Sequence, residues 1–102
     1  MIRATTPLHR YTFPANFNMD SIKEMIITYM QDGNTIIEKR LADVSIEENV
    51  VSVKLTQEET NLFKVQPHVL IQVRVLTNAG DAMASEIKQV PVHRILNDEV
   101  ME

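Results

Sequence analysis

Three histidines, His9, His68 and His93, are the side chains best suited to bind a metal or move a proton near neutral pH, but their spacing favours neither. Two metal ligands share a strand face at i, i+2 or a helix face at i, i+4, and no histidine pair here has either separation. Ser21, Ser45, Ser52 and Ser85 fall in no nucleophile-elbow context, and the chain has no cysteine to act as thiolate nucleophile or ligand. Its two glycines are too few for a phosphate-cradling loop or a dinucleotide fingerprint. Adjacent carboxylates occur at Glu47-Glu48, Glu58-Glu59 and Asp98-Glu99, where neighbouring side chains point apart, so they read as solvated turns and a helix cap. The residues therefore predict a protein that is not an enzyme, with no cofactor and no metal site.

The elements that carry these residues are strands. In His68–Thr77, Val69, Ile71, Val73 and Val75 alternate with Leu70, Gln72, Arg74 and Leu76, the period of a strand with one face buried and the other largely wet. A first strand is expected from Leu8 to Phe13, stopped by Pro14, which lacks the amide hydrogen a ladder needs. Strands over Lys23–Gln31 and Thr35–Arg40 flank Asp32-Gly33-Asn34, residues that tolerate the positive φ of a tight hairpin. Val44–Ile46 and Val50–Leu55 suggest a second hairpin across Glu47-Glu48-Asn49.

Thr56-Gln57-Glu58-Glu59 is a capping box, predicting one helical turn that reaches about Phe63 and plugs the end of the sandwich with Leu62 and Phe63. After the long strand, Asn78-Ala79-Gly80-Asp81 turns the chain into a last strand, Met83–Val92. Seven strands with short links and one helical turn match an all-β, immunoglobulin-like antiparallel sandwich. The predicted core is Leu8, Phe13, Met25, Ile27, Tyr29, Val51, Val53, Leu55, Val69, Ile71, Val73, Val75 and Ile87. With no repeat, low-complexity run or Gly/Ser linker, residues 1–102 read as one domain, ending in an acidic tail over 93–102 that is either flexible or partly helical.

Charge narrows the choice of partner. Ten basic residues against fourteen acidic ones give a net charge of -4, and the basic residues are scattered apart from Lys39-Arg40, so no nucleic-acid partner is expected. No apolar run is long enough to cross a bilayer and the opening MIRATTPLHRYTF lacks a secretory signal's apolar stretch, which predicts a cytoplasmic product without a membrane partner. The absence of cysteine suits a reducing compartment.

The second strand is apolar on both faces. Ile26 and Met30 lie opposite Met25, Ile27 and Tyr29, and with Ile36, Ile37 and Leu41 on the next strand they form a candidate interface.

The segments MIRATTPLHRYTFP, VSVKLTQEET, VLIQVRVLT with the glycine-containing turn after it, and RILNDEVME together resemble a family of small proteins encoded in phages and prophages of Gram-positive gut bacteria. The resemblance spans nearly the whole chain and assigns no activity to any residue. The pattern also looks like the N-terminal β-sandwich module of baseplate proteins in phages of lactic acid bacteria. These resemblances imply a phage structural or accessory protein of the tail or baseplate type, present in the host cytoplasm during assembly and in the virion. It would associate with itself, as a homo-oligomer, or with another phage structural protein. The alternative is a sandwich that binds carbohydrate or another ligand, disfavoured because the chain has no Trp and only Tyr11 and Tyr29 as tyrosines.

Overall fold

A computed structural model describes all residues, Met1–Glu102. Eight strands follow in chain order: β1 (Leu8–Thr12), β2 (Ile22–Gln31), β3 (Asn34–Arg40), β4 (Ser45–Glu47), β5 (Val50–Lys54), β6 (Val69–Thr77), β7 (Ala82–Ala84) and β8 (Lys88–Val90). One four-residue helix, α1 (Gln57–Thr60), precedes β6, and short 3-10 turns occupy Met19–Ser21 and Leu41–Asp43. The strands form two antiparallel sheets, β1-β5-β4 and β3-β2-β6-β7, with β8 also paired to β6. If β1, β2, β4, β5 and β6 are read as the second to sixth strands of an immunoglobulin domain, β7 with β8 as the seventh, and β3 as the extra strand typical of variable domains, both sheets have the immunoglobulin strand order.

Alternation dictates how the sheets meet. Val51 and Val53 of β5 face Met25, Ile27 and Tyr29 of β2 and Val69, Ile71, Val73 and Val75 of β6 in one continuous buried cluster. Each fully buried large aliphatic there contributes about 1.5–3 kcal/mol. The β2–β3 hairpin closes at Gln31 opposite Asn34, and positive φ at both Asp32 (52°) and Gly33 (76°) makes it the two-residue turn whose twist matches its strands. Thr56 and Glu59 form the predicted capping box: the Glu59 amide donates to Thr56 Oγ1 (3.1 Å) and the Thr56 amide to Glu59 Oε1 (3.0 Å). Lys39 Nζ lies 2.6 Å from Glu59 and ties α1 to β3. Burial works against this carboxylate, but the hydrogen bonds from Lys39 and Thr56 outweigh it and hold its pKa below the usual range.

Several expectations are corrected. Leu8 is 47% exposed, because β1 turns His9 and Tyr11 inward instead. Ile87 is 59% exposed, because the expected last strand breaks between β7 and β8. At the break the Ser85 side chain takes over a ladder position: the Val73 amide donates to Ser85 Oγ (3.0 Å), while the Ser85 amide donates to the Val73 carbonyl (2.8 Å). Phe63 plugs the sandwich as predicted, whereas Leu62 points outward at 59% exposure. The segment after β8 has neither helix nor strand; the Gln57 carboxamide holds Met101 through its amide and carbonyl, each at 2.9 Å, and Asn61 Nδ2 donates to the Asp98 carbonyl.

Candidate functional site

The five residues singled out as an interface do not form one surface. A bulge between Tyr29 and Met30 leaves Ile36 without an opposite residue and pairs Ile37 with Tyr29, so Ile37 turns into the core at 6% exposure. Ile36 and Leu41 are partly buried against that core. Only Ile26 and Met30 stay on the outer face, half-buried and separated by Thr28. The register sets Ile26 between Arg40 and Arg74, and Met30 between Thr35 and Leu70. Charged and polar neighbours thus divide the apolar stripe.

A larger apolar feature lies where the two sheets part, along the seam between β1 on one side and β7 and β8 on the other. There a cleft of about 580 Å³ opens with Ile71, Val73 and Val75 as its floor. Tyr11, Phe13 and Phe17 build one wall, with the two phenylalanine rings packed at a centroid distance of 5.3 Å. Met83 and Ile87 stand on the opposite wall, 42% and 59% exposed. A second recess of about 390 Å³ shares Tyr11, Ile71 and Lys88 with the first and runs on past His9 and Arg10 toward Pro91. The two make one trough.

One wall of the trough is a strand edge without a neighbour. The Leu55 amide donates to the Pro7 carbonyl (3.0 Å) and the Phe13 amide to the Asn49 carbonyl (2.8 Å), so the odd-numbered residues of this segment bond to β5. By antiparallel alternation, Leu8, Arg10 and Thr12 direct their backbone N–H and C=O groups away from β5, toward the seam. In an immunoglobulin domain this edge receives the first strand. Here the first residues go to the other side: Ile2 bridges His93 in parallel, with the His93 amide donating to the Met1 carbonyl at 2.7 Å.

Beneath the second recess lies a small polar cluster. The Tyr29 hydroxyl is 2.7 Å from His9 Nδ1 and 3.0 Å from the Tyr11 hydroxyl. A neutral His9 satisfies all three groups if Nδ1 accepts from Tyr29 and the Tyr29 oxygen accepts from Tyr11. Burial, then the positive charges of the amino terminus and Lys88, hold the His9 pKa below its ordinary value. Burial raises the pKa of both tyrosines, and the neighbouring Tyr11 hydroxyl, whose ionised form would repel a second phenolate, pushes Tyr29 further up, so Tyr29 is a neutral hydroxyl at any physiological pH. The cluster holds β1 against β2 and fixes the inner wall of the trough.

No three His, Asp or Glu side chains converge in a group able to hold a metal ion, and no helix is long and apolar enough to cross a membrane. Sequence reasoning missed the trough because its rim depends on the break in the last strand. The available signal was Ser85-Glu86, two adjacent polar residues that break the alternation between Met83 and Ile87.

No family model matches the chain, and no curated protein does either. Among solved structures it is similar to the V domain of amphioxus IgVJ-C2, at 13% identity and a TM-score of 0.37, over 89% of this chain and 95% of that one. The strand order of the two sheets is what makes the fold immunoglobulin-like.

Proposed function

We propose that this chain is a non-enzymatic association module whose partner lays an extended segment into the trough beside β1. One observation carries the reading: the apolar cleft of about 580 Å³ adjoins a strand edge whose backbone groups have no protein partner. Main-chain hydrogen bonds to such an edge supply affinity, and the apolar floor selects every second side chain of the incoming strand. Residues Ile71, Val73 and Val75 repeat at that same two-residue interval. The setting, a phage tail or baseplate with a second copy or another structural protein as partner, rests on the sequence resemblance alone. Virion parts assemble in rings, and a strand passed from one copy to the next is a heterologous contact that can close such a ring.

Panning a random dodecapeptide library on the purified chain tests this, with the Met83→Glu/Ile87→Glu variant as counter-selection. Both residues are exposed, so the variant keeps its fold, which circular dichroism verifies. The expected result is enrichment of peptides with alternating apolar residues that bind the wild type and not the variant. An unenriched library, or binders indifferent to the rim substitutions, overturns the proposal.

A further inference from the structure

The trough is not electrically neutral along its length. Arg10 and Lys88 line the recess of about 390 Å³, and no carboxylate does. Glu86 borders only the larger cleft. Neither Arg10 nor Lys88 belongs to an ion pair, since the three pairs in the molecule use Arg3, Lys39 and Arg40. Two unpaired cations beside a free strand edge stand out on a chain of net charge -4. Their charges would repel a basic segment and draw in an acidic one.

We infer that the segment seated in the trough is an extended peptide with apolar residues at every second position, followed by Asp or Glu where it reaches β8. This rests on strand addition at the seam and adds the partner's chemistry. The apolar part lies over Ile71, Val73 and Val75 in the wider cleft, and the carboxylates lie between Arg10 of β1 and Lys88 of β8. Along the wider cleft, Glu86 disfavours acidic residues, so charge favours the direction that leads the carboxylates to the recess.

Two fluorescein-labelled peptides test the inference by anisotropy on the full chain: acetyl-Thr-Val-Thr-Val-Thr-Val-Glu-Glu-amide and its Lys-Lys counterpart. With two exposed attractions exchanged for two repulsions, the acidic peptide should bind about tenfold tighter, and the preference should shrink at high salt. The Arg10→Glu/Lys88→Glu variant should reverse the preference, and Lys88→Gln should weaken it without reversal. Both residues are exposed, and circular dichroism checks that each variant is folded. Equal binding of the two peptides overturns the inference while strand addition stands. If neither peptide binds, strand addition and the inference fall together.

Discussion

Tyr29→Phe isolates the polar cluster from the apolar packing around it. The ring of Tyr29 is fully buried, tilted against Phe63 at a centroid distance of 6.3 Å, and a phenylalanine fills the same space. What is lost is one hydroxyl that bonds both His9 Nδ1 and the Tyr11 hydroxyl. At a net value of about 0.5–1.5 kcal/mol per hydrogen bond, the substitution should cost about 1–3 kcal/mol. Tyr11→Phe breaks only one of the two bonds and should cost about half as much. Urea denaturation followed by circular dichroism at pH 8 measures both, and each kcal/mol lost should lower Tm by roughly 4–8 °C in a domain of this size.

The same cluster makes stability depend on pH in a known direction. His9 resists protonation in the folded chain more than in the unfolded one, so the unfolded state binds the extra proton. This site's contribution is complete above the unfolded value of about 6.5 and is lost as the pH falls below it toward the folded pKa. Wild type should therefore weaken on acidification from pH 7, and His9→Gln should weaken less. A loss below about 0.5 kcal/mol in Tyr29→Phe at pH 8 would refute the argument, because both partners would then be satisfied without that hydroxyl.

Three other perturbations have definite outcomes. Gln31 is buried and holds the loop before β6, with Nε2 donating to the Lys64 and Pro67 carbonyls (both 2.7 Å) and Oε1 accepting from the Lys64 amide (2.8 Å). Gln31→Met keeps its volume but removes three bonds, so a loss of about 1.5–4.5 kcal/mol and faster exchange of the Lys64 amide proton are expected. Glu48 has a positive φ of 54° in the β4–β5 turn, so Glu48→Gly should raise stability by about 0.5–1 kcal/mol in the same urea assay. Ile26→Lys/Met30→Lys places one like charge between Arg40 and Arg74 and a second between Thr35 and Leu70, for a cost of about 1–2 kcal/mol with the fold retained. Light scattering over a concentration series should give this variant the mass of wild type; a smaller mass would move the association surface to the outer face.

Where a segment's local pattern agreed with its tertiary role, the sequence was readable. The β2–β3 hairpin, the α1 capping box and the buried face of β6 follow from residues within a few positions of one another. The errors arose where a distant partner decided the orientation. His9 and Tyr11 carry polar tips, so hydrophobicity favoured Leu8, yet the buried Tyr29 hydroxyl rewards turning them inward. Ile37 looked available for the surface until the bulge reset the pairing of β3. The trough depends on three separated stretches: Tyr11–Phe17, the inner face of β6, and Met83–Lys88. No local period can announce such a place, although the apolar and charged residues that line it are plain in the sequence.

The break between β7 and β8 separates two demands that a continuous strand would have joined. Both segments are anchored on β6, β7 opposite Arg74–Leu76 and β8 opposite Val69–Ile71, so the register of the sheet does not depend on Glu86 or Ile87. Substitutions and short insertions at those two positions can diversify through evolution with the scaffold unchanged. Each would alter the rim of the trough and so the range of partners it admits. Homologous chains should vary most where β6 carries least of the ladder.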